Sequence, residues 1–509
     1  MGRPRPADRR VLVNRAMAGM TFAGLTIAAG ETAAAFGSGS RSPLAGLGRV
    51  LIDVTPGAAI DVGVALVGET DKPLMALGLG IGTGLAGAGT ALLAPARPRT
   101  AALLAVAPTL LGSAYGLRLP GGHQAWTAAA GLCAAFTAAA GTHVVRAGPD
   151  GPRQDRFRTA GTLLSAAGIT VAARQIRRAL DERARRRWNL PPCADDAPAP
   201  PGLAPQLTGP DELYKVDVTF PAPRLDGHSW RLKVHGDVNS PLDLSLPDLL
   251  DSGMTEIDAL LICVHNPVGG HRMGNGRWTA LPLATLLDRA GLPDELAADP
   301  SRAELIARSI DGFAVALPLD VALERALVAV GLGGRPLPFG NGFPARLLVP
   351  GKYGYAGNVK WLAGLEVRRT EPAARHAGAR GSGYWTSRGW PADGGNITPS
   401  SRIDVPRAGS RLDQGPMVLA GYAWAPPEGV LAVEVSVDDG PWAAAQLAAE
   451  LSGLCWRSWS LPWKATLGRH VLRVRCLGVV GRQDEREGAP YPHGPSGVHT
   501  VPVHVGSAG

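Results

Sequence analysis

Cys263 closes the apolar run LLIC and is followed by VHNPVGGHRMGNGRW, so a sulfur stands directly before a turn-rich, polar segment. A thiolate at such an edge is a good ligand for a soft metal centre. A buried thiol can equally pack like a small hydrophobe, and the residues leave both roles open. His265, His271 and Arg272 share the segment and either line the mouth of a site or cover a solvated loop. Further along, Asp311 could accept hydrogen bonds from a ligand's N–H groups, and Arg346 and Lys360 could hold a phosphate. Taken singly, Asp311 before Gly312 also suits a turn, and the two cations suit surface ion pairs. The other thiols of the five are Cys133, Cys193, Cys455 and Cys476. No CxxC or comparable metal-type spacing occurs, which argues against zinc and iron–sulfur sites.

These residues must be positioned by a chain of 509 residues, long enough for several domains. Its first third is very apolar and rich in glycine and alanine, whereas the remainder is ordinary in polarity. Apolar stretches at about 16–36, 74–95, 100–118 and 124–145 each approach the length needed to cross a ~30 Å hydrocarbon layer. Four membrane helices are expected there. A fifth stretch, Thr159–Ala173, is shorter, and the basic run RQIRRALDERARRRW follows it. Arginines cluster at the N-terminus, in ARPRT and around Arg153, Arg156 and Arg158, as cytoplasmic loops would have them. Four spans place the rest of the chain in the cytoplasm; five place it outside, against the pull of the basic run. The formal charge of +8 is explained by these flanks, and no basic patch interleaved with aromatics points to nucleic acid.

Glu31, near the end of the first span, is either an interfacial residue or a functional one. His123 and His143 flank the fourth stretch but do not form the facing pair that a bis-histidine haem needs. The loop from Val50 to Pro73, with Asp53 and Asp61, is expected to lie on the surface or re-enter the bilayer. The expected architecture is a helical membrane domain over 1–188, a proline-rich linker over 189–210, an α+β domain over 211–372, a connecting segment over 373–405 and a β-sandwich over 406–509. The sandwich follows from alternating runs such as GVLAVEVSVDDGPW and RHVLRVRCLG, with DDG as a hairpin turn.

From about Leu213 to Val503 the chain resembles the sulfite oxidase-like molybdopterin oxidoreductases. The resemblance is carried by ordered motifs: LLICVHN, RWTALPLATLL, SIDGFAVALPLDVAL, NGFPARLLVPGKYG, then Val359-Lys360-Trp361, YWTSRGW and SRIDVP. The leading helices resemble the membrane-anchored actinobacterial branch of that family. The resemblance implies an α+β molybdopterin domain and an immunoglobulin-like dimerisation domain. It implies molybdenum–molybdopterin as cofactor, with Cys263 as metal ligand and catalytic centre. It further implies cofactor contacts from Tyr214, Lys215, Asp217, Asp311, Asn341, Arg346, Asn358, Val359 and Lys360.

The chain departs from the family where sulfite would bind. His265, Asn266, Pro267 and Val268 replace an arginine-bearing run, Val330 falls at the family's active-site tyrosine, and Asn341 replaces a histidine. The implied function is therefore two-electron oxygen-atom transfer on a small, unspecified substrate. Electrons would pass to or from a separate cytochrome or quinone, and the chain would be a multi-pass membrane protein and a homodimer. Its catalytic part is expected outside the cytoplasm, or within it if only four spans form. A non-enzymatic membrane protein that keeps the fold for binding or assembly is the alternative; a transporter has only Glu31 in its favour.

Overall fold

The computed structural model describes residues 6–37, 40–56, 71–118, 124–147, 154–191, 193, 203, 205–216, 218–219, 222–370, 383–388, 390, 395–490 and 492–507. The chain divides into two compact units, one of Met1–Arg187 with Asp217–Asp226 and Ile310–Gly312, the other holding the rest. Asp217, His123 and Asp61 lie outside the described residues, as does the side chain of His143.

The first unit is built from α1 (Pro6–Ala34), α2 (Pro43–Val54), α3 (Asp71–Leu93), α4 (Pro98–Arg118), α5 (Gln124–Ala147) and α6 (Gln154–Arg186). Each of the four expected spans falls on a helix. Among the described residues, two segments are long and apolar enough to cross a membrane, Val11–Ala34 and Pro98–Arg118, and Leu77–Leu93 is a shorter apolar helix. Helix α2 is an addition to the sequence reading. Its start is set by Ser42, whose hydroxyl accepts the Ala45 N–H at 3.2 Å, and by Pro43 at the first helical position. The fifth apolar stretch and the basic run after it form one continuous helix, α6, of 33 residues. At 1.5 Å per residue it is about 50 Å long, more than a hydrocarbon layer requires.

Small residues let these helices approach. A Cβ at Gly19 would overlap the Gly87 carbonyl, so α1 and α3 meet backbone to backbone at that pair. Large apolar side chains point outward instead, among them Leu103 at 71% and Phe136 at 77% exposure. Glu31 is buried. Ser42 Oγ donates to its Oε1 at 2.6 Å and Arg174 of α6 lies 2.7 Å from its Oε2, so α1, the α2 cap and α6 are joined at one carboxylate.

The second unit begins with two sheets. In the first the order is β2 (Leu242–Leu244), β1 (Leu232–Gly236), β11 (Leu362–Arg369), β5 (Ala303–Ser309), β6 (Ala314–Pro318), with β1 and β11 parallel. In the second it is β10 (Asn358–Val359), β9 (Arg346–Leu348), β7 (Leu327–Leu332), β4 (Met273–Pro282), β3 (Thr255–Ile262), and β8 (Arg335–Pro336) pairs with β7. Helices α7 (Leu246–Leu250) and α8 (Leu283–Ala290) punctuate the strands. Leu283, Leu286, Leu287 and Ala290 give α8 one buried face at helical spacing. The mixture of parallel and antiparallel pairs with short helices is the expected α+β arrangement.

The C-terminal region is β-rich. One sheet runs β12 (Ser400–Val405), β14 (Gly415–Trp424), β18 (Arg457–Ala465), β17 (Gln446–Leu447). The other runs β13 (Arg411–Asp413), β21 (His499–Gly506), β19 (Gly468–Gly478), β15 (Val430–Val437), β16 (Ala443–Ala444), and β20 (Gly481–Arg482) pairs with β19. Leu419, Trp459, Val433, Leu472 and Val503, drawn from both sheets, share one core. The DDG turn is as read: Asp438 and Asp439 take φ of 54° and 56° between β15 and β16. Cys455 and Cys476 are reduced and have separate partners, Ser452 Oγ at 3.4 Å and the Trp424 carbonyl at 4.0 Å.

The proline-rich stretch is less free than its composition suggests. Thr208 N donates to Asn275 O at 2.7 Å, Tyr422 Oη to Pro205 O at 3.1 Å, and Trp456 Nε1 to Gln206 O at 2.6 Å. Its second half is thus laid along the globular unit by the carbonyls of Pro205 and Gln206 and the N–H of Thr208.

Candidate active site

Strands β3 and β4 form an antiparallel pair that closes at Ile262 and Met273. The ten residues between are the loop that begins with Cys263, so the thiol sits at the strand's edge as its sequence implied. It is 6% exposed, and its N–H donates to Arg272 O at 3.0 Å. Asn266, buried beneath the loop, accepts the Arg272 N–H at 2.7 Å on Oδ1, and Arg272 Nη1 donates to His265 O at 3.1 Å. The polar residues after the thiol are therefore chiefly a brace.

The C-terminal sheets complete it. Arg402 Nη1 donates to Gly270 O at 2.8 Å and pairs with Asp404 at 3.0 Å. His499 Nδ1 accepts the Ile403 N–H at 2.9 Å. Gly269 has φ of 74°, and a Cβ there would overlap the His499 ring, which is why glycine stands at this point of the loop. Burial pushes the pKa of both His271 and His499 down, and the nearby Arg402 guanidinium adds to it. On the loop's other side the His265 ring lies 6.2 Å from Trp390, which meets Tyr355 edge-on at 4.6 Å and stacks on Trp385 at 4.5 Å.

A second group of side chains lies on β9, β10 and the segment before them. Arg346 is 1% exposed, and among the described residues no carboxylate pairs with it. Its Nη1 donates to Asn341 O at 3.2 Å and its Nη2 to Asn358 Oδ1 at 2.9 Å, while its Cζ lies 5.1 Å from the Trp278 ring centre. Burial drives its pKa down to about 10, with Tyr214 opposing the shift. Arg346 Nε, Asn341 Oδ1 and Asn358 Nδ2 are buried without partners. Unsatisfied groups of this kind are costly, which makes the cluster a candidate site for a polar ligand.

Tyr214 and Lys215 reach the same region. A Cβ at Gly354 would lie 3.4 Å from Tyr214 Oη and 3.6 Å from Ile262 O, which puts the phenol beside the end of β3. The Lys215 stem lies against Gly340, 3.2 Å from the Cβ position there. Lys360 lies against Gly342, and its Nζ is 5.4 Å from the Trp361 ring centre. Trp361 is held at φ of 50°, outside the usual range of an L residue, with its Nε1 donating to Phe339 O at 2.8 Å. Val359 is buried on β10 beside these residues.

Of the residues chosen from sequence, Tyr214, Lys215, Asn341, Arg346, Asn358, Val359 and Lys360 thus gather around one another. Asp311, 1% exposed on the turn between β5 and β6, belongs to the first unit. Val330 is core, in a strand buried along its whole length. Sequence reasoning missed Arg402, His499 and Tyr355. The first lies in the motif SRIDVP and the last beside NGFPARLLVPGKYG, but nothing local assigned either a role.

No group of three or more His, Cys, Asp or Glu side chains suited to a metal exists among the described residues, so a metal at Cys263 must bring most of its own ligands. That requirement, and a buried guanidinium that no carboxylate among the described residues neutralises, fit a metal held by an anionic organic cofactor. The comparisons agree. Residues 219–376 match the family model described as the oxidoreductase molybdopterin binding domain. The chain carries a molybdopterin domain of the sulfite oxidase type. Mitochondrial sulfite oxidase of Mus musculus is 29% identical over 321 residues, 55% of this chain and 58% of that protein. The NADPH nitrate reductase of Mycosarcoma maydis is 29% identical over 228 residues, 38% of this chain and 23% of that protein. The catalytic subunit of the protein-methionine-sulfoxide reductase MsrP of Xanthomonas campestris is 36% identical over 170 residues, 31% of this chain and 50% of that protein. The chain thus spans 58% of the sulfite oxidase it matches. A molybdopterin domain takes molybdenum–molybdopterin, and the residues gathered here suit it.

Proposed function

We propose that this protein is a membrane-anchored molybdopterin oxidoreductase that transfers an oxygen atom, with two electrons, to or from a small substrate. The observation that carries the reading is Arg346, a buried guanidinium with no carboxylate partner among the described residues, set beside Asn341 Oδ1 and Asn358 Nδ2, which are buried without partners. A fully desolvated cation is tolerated where an anion is meant to join it.

In this reading Arg346 and Lys360 take the cofactor's phosphate, with Lys215 adding charge. Asn341, Asn358, Val359 and Tyr214 hold its polar edges, and Cys263 ligates the metal. When bound, the cofactor supplies the centre at which oxygen and electrons are exchanged. The chain's own task is rigidity. Asn266, Arg402 and His499 hold the Cys263 loop so that the sulfur need not reorganise, and preorganisation of this kind is the main protein contribution to such chemistry. Tyr355 and Trp390, with His265, give the mouth an aromatic wall in place of an arginine cage, which suits a neutral oxygen donor or acceptor better than sulfite.

The outward apolar side chains of α3, α4 and α5 support a multi-pass anchor, with four spans or a fifth within α6. A fifth span puts the catalytic part outside the cytoplasm; four put it inside. Labelling Cys193 from outside intact cells separates the two. The β-rich C-terminal region is read as an immunoglobulin-like module that pairs two chains, and a separate quinone or cytochrome as the electron partner. Protein purified after growth with molybdate is expected to contain molybdenum and extractable pterin, and Cys263→Ser to keep the pterin while losing turnover. Folded wild-type protein devoid of pterin overturns the proposal.

A further inference from the structure

Between α1, α2, α3, α4 and α5 lies a cavity of about 460 Å³, within the ~300–1,000 Å³ range of small-molecule sites. Helices α1 and α3 touch at Gly19 and Gly87, at one end of it. Gly78 and Gly82 also line the space, and a Cβ on either would meet nothing within 4 Å. Most of the wall is apolar, with Phe22, Ile27, Leu47 and Leu104 typical of it. The exceptions are Glu31, Ser42 and five threonines.

Those exceptions share a property. Thr26, Thr83, Thr90, Thr109 and Thr142 each donate the hydroxyl hydrogen to a carbonyl of their own helix, at 2.6–2.9 Å. Ser42 gives its hydrogen to Glu31, as described. Among the described lining residues the wall therefore offers oxygen acceptors and no spare hydroxyl hydrogen. A ligand whose head only accepts, such as a quinone or an ester, would leave its oxygens and the wall's unmatched, and a phosphate head would meet a carboxylate whose charge Arg174 already balances, with no lining hydroxyl hydrogen left to give it. A head with O–H groups satisfies both sides.

We propose that this cavity binds a neutral isoprenoid hydroquinone, an O–H donating to Glu31 and the tail lying along the apolar wall. The choice of a hydroquinone among hydroxylated amphiphiles rests on the redox function proposed above, since it is the one that also carries electrons. Its oxidation releases two electrons and two protons, the amount consumed when an oxo substrate XO becomes X and water: QH2 + XO → Q + X + H2O. Hydroquinone is oxidised, XO is reduced, and its oxygen leaves in water.

The test titrates the full-length protein in detergent with a short-tailed naphthohydroquinone kept anaerobically reduced, bound ligand being counted by equilibrium dialysis. Saturable binding is expected, weakened about tenfold or more when both hydroxyls are methylated, because a hydrogen bond to a carboxylate is lost. Glu31→Gln is expected to lose a similar factor for the hydroquinone and less for the quinone. Gly82→Leu, at a position where an added Cβ meets nothing within 4 Å, should abolish binding without lowering the melting temperature. Equal affinity for the dimethyl ether, a comparison that needs no variant, overturns the proposal, as does displacement by phosphatidylglycerol alone. Binding without turnover leaves the site standing and sinks the redox reading; turnover with an artificial donor and no binding does the reverse.

Discussion

Replacing Arg346 by methionine separates a cation that waits for an anion from one that holds the fold. Burial lowers its pKa from 12.5 to about 10. At about 1.4 kcal/mol per unit, the charge costs the folded chain about 3 kcal/mol. The sign follows from linkage: a base whose folded pKa lies below its unfolded one destabilises the fold wherever the unfolded form is protonated. The penalty is therefore present throughout the neutral range and fades only above about 10. Against it stand the two hydrogen bonds to Asn341 O and Asn358 Oδ1, each contributing about 1–1.5 kcal/mol. Arg346→Met removes both sides of this balance and should shift the stability of the cofactor-free protein by only about 1 kcal/mol, or a few degrees in Tm. A buried arginine in a completed ion pair would instead cost about 3–5 kcal/mol on removal.

The assay is a thermal melt of cofactor-free protein with and without inorganic phosphate, beside pterin extraction from protein made with molybdate. Wild type should gain about 1.4 kcal/mol when phosphate reaches about ten times its dissociation constant. The variant should gain nothing and retain at most about a tenth of the pterin. A loss above about 3 kcal/mol without ligand, or wild-type pterin content, would refute the reasoning.

Other outcomes follow from the same physics. Because burial depresses the pKa of His499, the unfolded chain takes up a proton first, so stability falls as pH drops below about 6.5. His499→Gln, which can still accept the Ile403 N–H, should flatten that acid slope in melts between about pH 5 and 7. His470 has the opposite sign: the Asp438 carboxylate at 2.7 Å and the Thr466 carbonyl raise its pKa. Its contribution is full below about 6.5 and disappears as pH rises through the higher folded value, so His470→Gln should remove that alkaline loss. Gly269→Ala forces a Cβ into the His499 ring at a positive φ. It should lower turnover of the loaded protein more than its pterin content, since the loop and not the cluster at Arg346 is disturbed.

Local rules were strongest where one short segment decides the outcome. The DDG turn needed only two residues able to take positive φ, and the apolar run ending at Ile262 followed by polar, glycine-bearing residues placed Cys263 at a strand edge. Helix α2 was hidden because its apolar residues blend into a first third that is apolar throughout, so periodicity carries little contrast there. The continuity of α6 was hidden for a related reason. A hydropathy window ends where charge begins, yet arginine and glutamate are good helix formers, and Glu182 with Arg185 and Arg186 ties the charged turns together.

The candidate site divides along the same line. Arg346, Asn358 and Lys360 lie within fifteen residues of one another, so a motif could find them. The brace on the Cys263 loop could not be found that way, because Arg402 reaches Gly270 across 132 residues and His499 reaches Ile403 across 96. Such contacts depend on how the C-terminal sheets meet the loop, which no window of sequence contains. The two groups of side chains are also held by different elements. The cluster at Arg346 is held by β9 and β10, the loop by a different region, and Val330 sits in the core strand between β4 and β9. Substitutions in the Cys263 loop are therefore expected to leave the residues gathered at Arg346 in place.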